Sequence, residues 1–449
     1  MIKKYDKYQS TEFEWLGVIP KNWQVVRVKD YTYLKARIGW QGLRSDEFIE
    51  NTNWYCVTGT DFSNGTIDWV NCYCVEQDRF DQDTKIQLKL NDLLITKDGT
   101  IGKIALINEL PKQATLNSGV FVTRPEKNKY SNQFMFWLLS SNVFTRFIDY
   151  NKNGSTILHL YQNVFERFFY CLPNDLEQSA IAKYLDTKTK AIDKKISLLI
   201  QKADYYKELR KSIINDAVCK GLDRNVKLQE SEFVFSVNAN WNRYRLKDLG
   251  FLYSGLSGKA GDDFNQDDNP NNKGFIPFTN IANNTYLKTN HLGTVVVYEN
   301  EKQNKVRKGD LFFLMSSEGY DDVGKTAALA EDIEDTYLNS FCKGYRITKK
   351  NCEPYFLNYL LLSDNYRKSL ITEGKGFTRI NLKMEKVTDF FVYLPPTKEE
   401  QTAIASYLDE KTQKIDAIVT NIGKQIETLK ELSKTLINDV VTGKIKVTN

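Results

Sequence analysis

The sequence predicts an α+β protein with an internal pseudo-twofold repeat. Two β-rich, mixed α/β domains are separated by two long helices that pair as an antiparallel coiled coil. Three observations predict it. Residues 178–218 and 401–441 match at 19 of 41 positions, at a constant offset of 223 and without a gap. Each copy lacks proline and carries one apolar stripe. Each is preceded by about 150 residues of short β-prone runs broken by Gly, Asn and Asp. The segments are 1–172 (N-terminal segment and first domain), 173–221 (central helix), 222–394 (linker and second domain) and 395–449 (C-terminal helix).

In the first domain the strand candidates are NWYCVTG, DLLIT and VFVTR, followed by the helical stretch 132–148. In the second they are FIPFTN, TVVVYE, DLFFLM and GYRIT, followed by helical 354–371. Residues 222–240 are polar without a clear period and read as a linker. The repeated helix places Ile192, Ile196, Leu199, Ala203, Tyr206, Leu209 and Ile213 on one face. Its second copy places Ile415, Val419, Ile422, Ile426, Leu429, Leu432 and Leu436 there. The early spacing alternates four and three, a coiled-coil seam. Arg210 and Ser433 occupy the next seam position, so a register shift is expected there. Gly221 and Gly443 read as helix stops. A helix of roughly 40 residues is ~60 Å long and needs a partner along its stripe. The other copy is the nearest one, and another protein is the alternative.

Composition excludes several classes. The chain has 449 residues and 62 basic against 57 acidic side chains, a mildly basic balance compatible with nucleic acid. Seven cysteines show no disulfide or zinc spacing and read as reduced thiols. The polar N-terminus lacks a signal sequence, and no apolar run is long enough to span a membrane, so a cytoplasmic protein is expected. His159 and His291 have no counterparts between the copies and read as structural.

Residues 319–326, GYDDVGKT, match the phosphate-cradling P-loop spacing. The duplication tests that match. Its counterpart KDGTIGKI (97–104) keeps only the Gly-Lys, and proline soon follows where a P-loop needs a helix. A turn between strands is expected, with a P-loop NTPase as the alternative function.

Further stretches are shared with a known family. STEFEWLGVIPKNWQVVRVKD (10–30), with Trp15, Gly17, Pro20 and Trp23, resembles the opening of type I restriction–modification specificity subunits. The LP…EQ…IA.YLD.KT..ID segments, Leu172 to Asp193 and Leu394 to Asp416, are similar to its conserved regions. LNDLLIT and GDLFF, each followed by Gly-Lys, look like the core of its target-recognition domains. SEFVFSVNANW (231–241) departs by lacking the WLG and Pro of the first copy. The resemblance implies a non-catalytic DNA-recognition subunit. Each domain would read half of a bipartite site in double-stranded DNA. The helices would act as spacer and docking site for two methyltransferase (M) subunits, and restriction (R) subunits would join. It implies no cofactor or metal in this chain, with S-adenosylmethionine, ATP and Mg in the partners. A DNA-binding module outside restriction–modification is the other alternative.

Under that reading the DNA-facing candidates lie in polar and basic loops. The first domain offers Arg37, Gln41, Arg44, Lys97, Thr100, Lys103, Ser155 and Thr156. The second offers Ser316, Ser317, Lys325, Lys375, Thr378 and Arg379. Arg and Lys suit phosphates or guanine edges, and Gln, Ser and Thr suit base edges. KNGSTILHL (152–160) and GKGFTRINL (374–382) stand at the same place in each half, just before the last strand. Pseudo-twofold related domains match the symmetry of a duplex, and helix length would set the gap between half-sites.

Overall fold

The computed structural model describes residues 3–38, 42–151, 159–233, 235–266, 268–320, 322–372 and 380–447. The chain divides into two compact units, 1–199 with 423–449, and 200–422. Each is mixed in helix and strand.

The first unit is built on a four-stranded antiparallel sheet, Thr32–Ala36, Val120–Pro125, Leu93–Thr96 and Ile104–Leu106 in spatial order. The second unit repeats this order with Gly250–Ser254, Cys342–Ile347, Leu311–Leu314 and Thr326–Leu329, and adds Tyr286–Leu287 in parallel at the edge. Residues 93–95 and 311–314 are apolar throughout because both faces are covered. Leu93 and Ile95 face one core with Phe134 and Leu138, while Leu94 faces another with Val57 and Leu116. Leu311 and Phe313 separate in the same way from Phe312 and Leu314. Alternate side chains of a strand point to opposite faces, so a run with no polar member marks a strand between two layers.

Each predicted helical stretch is two helices, Asn132–Leu139 with Asn142–Asn151, and Pro354–Leu362 with Asp364–Ile371. The breaks fall at Ser141 and Ser363. Each hydroxyl donates to the carbonyl three residues back, at 2.6 Å to Leu138 O and to Leu360 O. Local serine bonding of this kind competes with helix continuation. In the FIPFTN run the strand ends at Ile276, and Phe278–Asn283 is helical.

The repeated segments form single helices, Asp175–Lys220 and Lys398–Val441. In the second unit they run antiparallel. Arg210 Nε lies 3.0 Å from Asp416 Oδ1, while Ala217 and Lys220, further along the first helix, share a groove with Tyr407, further back on the second. In the first unit Ile181 and Leu185 share a core with Val440 and Val441. The expected register shift is absent from the second helix, where Ser433 is half-buried and Leu432 is 53% exposed; in the first, Leu209 and Arg210 are both half-buried. An arginine can line an apolar seam with its stem while its head meets a carboxylate.

The linker is also more ordered than its composition suggests. Leu228–Glu230 pairs with Ser236–Asn238, as Tyr8–Ser10 pairs with Val18–Pro20 in the first unit. The W-L-G and Pro missing from the second copy are therefore not needed for this hairpin. All seven cysteines are buried and unpaired.

Candidate nucleic-acid interface

In both units the Gly-Lys element closes a β-hairpin. Thr96 N donates to Lys103 O at 2.9 Å and Gly102 N to Thr96 O at 2.9 Å. Leu314 N donates to Lys325 O at 3.0 Å and Gly324 N to Leu314 O at 2.8 Å. Gly102 and Gly324 have φ of +81° and +73°, a left-handed conformation that favours glycine. After Lys325 the chain enters strand Thr326–Leu329. A P-loop would present a helix N-terminus there. The described residues of GYDDVGKT belong to a hairpin, and the NTPase alternative has no structural footing.

The hairpin loop is joined to the segment before the last strand in each unit. Leu160 N donates to Lys97 O at 2.8 Å, and Leu382 N donates to Met315 O at 2.8 Å. Ser316–Ser317 pair antiparallel with Ile380–Asn381. A third loop joins in the first unit. Asn117 Oδ1 accepts from Leu43 N at 3.2 Å, and Gly119 O accepts from Lys97 N at 2.9 Å. Two loops singled out separately in each half of the sequence thus meet at one edge of each domain.

The candidates fare differently there. Arg44, Thr100 and Lys103 are exposed, and Lys97 is half-buried with Nζ 5.5 Å from the Phe121 ring centroid. Ser316 and Ser317 are half-buried. Lys325 Nζ is held by Asp322 Oδ1 at 2.7 Å and Ala282 O at 3.2 Å, which ties it to its own unit and leaves one of its three donors. Gln41, Ser155, Thr156, Lys375, Thr378 and Arg379 lie outside the described residues. Arg37 is a correction. It is 1% exposed, and its guanidinium donates to Leu116 O at 2.7 Å, Gln82 Oε1 at 2.9 Å, Arg79 O at 3.1 Å and Thr115 Oγ1 at 3.2 Å. Burial lowers its pKa, and it braces the sheet beneath the loops instead of meeting a ligand.

His159 and the Asn117–Gly119 turn were not among the candidates but belong to this edge. His159 Nδ1 pairs with Asp98, and its ring lies 4.8 Å from that of Tyr161, which is 60% exposed. The shared L-N-S of TLNSG and YLNSF was the available signal for the turn. His159 lies within the KNGSTILHL loop, but the second copy has Asn381 there and so does not mark the histidine itself. Hydroxyls, amides, cations and a ring at one edge can bind phosphates and base edges. Among the described residues no cluster of His, Cys, Asp and Glu is placed to hold a metal.

Each unit thus carries one polar loop edge on a domain seated on long helices, which defines a duplicated, loop-presenting binding scaffold. The chain belongs to the family of type I restriction modification DNA specificity domains, whose model matches residues 20–202 and 238–428. Among curated relatives it is 23% identical to the type I restriction enzyme MjaVIII specificity subunit of Methanocaldococcus jannaschii, covering 96% of this chain and 95% of that one. It is 22% identical to the EcoKI specificity subunit of Escherichia coli strain K12, covering 96% and 90%. The fold is shared with a chain of a type I R-M system solved for its complex assembly and conformational transition (TM-score 0.71, 17% identity, 95% and 99% covered). It is shared also with the HsdS subunit of Thermoanaerobacter tengcongensis (TM-score 0.56, 16% identity, 95% and 98% covered).

Proposed function

We propose that this chain is the DNA-sequence-recognition subunit of a type I restriction–modification complex, each domain reading one half of a bipartite site. The observation that carries the reading is the matched loop edge. The two units build it from the same hairpin and the same pre-strand segment, yet fill it with different residues. Beside the shared Lys103 and Lys325, Arg44 and Lys97 stand in the first, and Ser316 and Ser317 in the second. Identical frames with divergent contact residues suit two different half-sites. The chain is non-catalytic in this reading. S-adenosylmethionine, ATP and Mg belong to two methyltransferase subunits and to restriction subunits, and the complex works in the cytoplasm. No helix among the described residues is long and apolar enough to cross a membrane.

The test is co-expression with a cognate methyltransferase subunit and mapping of methylated bases in host DNA. One split motif is expected. Methylation without a split motif, or none, overturns the proposal. Lys103→Ala should weaken DNA binding evenly across sequences and reduce the salt slope of log K by about 1. Arg37→Ala should reduce the stability of the first unit, because it strips four hydrogen bonds from the frame.

A further inference from the structure

The repeated helix carries two polar side chains whose partners lie in the domain packed on it. Gln178 is 2% exposed. Its Oε1 accepts from Ser131 N at 2.9 Å, and its Nε2 donates to Pro173 O at 3.0 Å. Gln401, 1% exposed, makes the same two bonds with Glu353 N at 2.8 Å and Pro395 O at 3.0 Å. Ser131 and Glu353 are the N-caps of equivalent helices, Asn132–Leu139 and Pro354–Leu362.

Eight residues further along the long helix, about 12 Å at 1.5 Å per residue, stands the aspartate of the Y-L-D triplet. Asp186 Oδ1 accepts from Trp137 Nε1 at 2.8 Å. Asp409 Oδ1 accepts from Tyr359 Oη at 2.8 Å and Tyr286 Oη at 2.7 Å, and Tyr359 Oη also lies 3.1 Å from Thr412 Oγ1. Trp137 and Tyr359 occupy the same position in the two units, six residues after their N-caps. An indole N–H and a phenol O–H thus perform one task with different chemistry. What the two units share is donation to this carboxylate.

Two hydrogen-bonded points separated along a helix fix the tilt of a domain against the helix axis, and the apolar core shared through Ile181 and Leu185, or Ile404 and Leu408, resists rotation about it. From this geometry we infer that Gln178 with Asp186, and Gln401 with Asp409, are positioning residues. They pin each domain at a set angle on its helix and so hold the base-pair spacing at which the two half-sites are accepted. The inference rests on the DNA-recognition reading above. It concerns neither the loop edge nor the length of the helices. The second unit is pinned more strongly, since Asp409 is half-buried and doubly bonded whereas Asp186 is exposed. The Tyr286 and Tyr359 phenols are donors at neutral pH, and burial pushes both further above their usual range.

The experiment is methylome mapping of the full-length chain with its methyltransferase subunit, carrying Asp409→Ala, Asp409→Asn, or Tyr286→Phe with Tyr359→Phe. The readout is the distribution of spacer lengths between unchanged half-sequences. Asp409→Ala and the double Phe variant should lower discrimination against sites one base pair longer or shorter by about tenfold, the size of one hydrogen bond to a charged group. Asp409→Asn retains the accepting oxygen and should restore a single spacing. A merely structural role would lower occupancy at all sites and leave the spacing sharp, which overturns the inference. If Asp409→Ala gives no methylation, the double Phe variant decides, because it keeps the rings packed. A wild-type chain with no split motif would instead bring down the DNA-recognition reading itself, and the inference with it.

Discussion

Arg346→Met should lower the midpoint of thermal unfolding by roughly 6–20 °C, from about 3–5 kcal/mol for an uncompensated buried charge at about 2–4 °C per kcal/mol in a unit of this size. Asp310 is 2% exposed at the entrance to the central strand Leu311–Leu314. Arg346 grips it with two parallel bonds, Nε to Oδ1 at 2.9 Å and Nη2 to Oδ2 at 2.6 Å. Tyr253 Oη at 2.6 Å and Arg307 N at 2.9 Å complete the carboxylate's partners. Methionine keeps most of the packing of the arginine stem and removes the compensating charge together with a bond to Lys305 O at 2.9 Å and a cation–π contact with Tyr253, of which the orphaned carboxylate is the largest loss. Replacing both partners, Arg346→Met with Asp310→Leu, should recover part of it, because burying two apolar groups avoids the stranded charge. It cannot recover all, since Tyr253 and Arg307 N then lose their acceptor. A double variant as unstable as the single one would show that the pair is not the source. Thermal denaturation of the purified full-length chain measures both. The first unit holds the same device in Arg124 and Asp92, at 2.7 Å and 2.6 Å, and should respond alike.

The repeated helices were legible because 19 identities share one offset and one apolar period. The hairpin ending in Gly-Lys was legible for a related reason: the first copy broke the nucleotide-binding spacing while keeping the glycine that the turn requires. What escaped depended on distant partners. Arg37 looks like any loop cation in sequence, since the acceptors that bury it come from Arg79, Gln82, Thr115 and Leu116. Arg210 looks like a break in the seam until Asp416 is placed beside its head. The hairpin in the linker left no apolar alternation to read, because Leu228–Glu230 is exposed along its whole length. In the candidate interface, the loops were each visible as duplicated polar stretches. Their meeting at one edge is set by strand order, which no local pattern carries. The Y-L-D aspartates were visible only as repeated letters. Their donors, Trp137 and Tyr359, differ in type and so gave no paired signal.

The two helix stops separate in the same way, and this gives the second large effect. Gly443 and Gly221 both have positive φ, +72° and +84°. An added Cβ at Gly221 would rest 3.4 Å from Trp241 Cζ2, an acceptable contact. At Gly443 it would stand 2.5 Å from Pro20 Cδ and 3.2 Å from Trp23 Cη2, which no side chain tolerates without displacement. Gly221→Ala should therefore cost about 1–2 kcal/mol, the left-handed backbone penalty alone. Gly443→Ala should cost about 2–5 kcal/mol, that penalty plus the strain of an overfilled site. The proline that creates the difference belongs to the opening segment, where the second copy has Asn238. Pro20→Ala in the Gly443→Ala background should recover the excess, because it removes the ring that the new methyl meets. Urea midpoints of the two single variants and the double variant measure this. Equal losses at Gly221 and Gly443 would refute the claim that Pro20 and Trp23 seat the end of the C-terminal helix, where Val440 and Val441 are fully buried in the first unit's core.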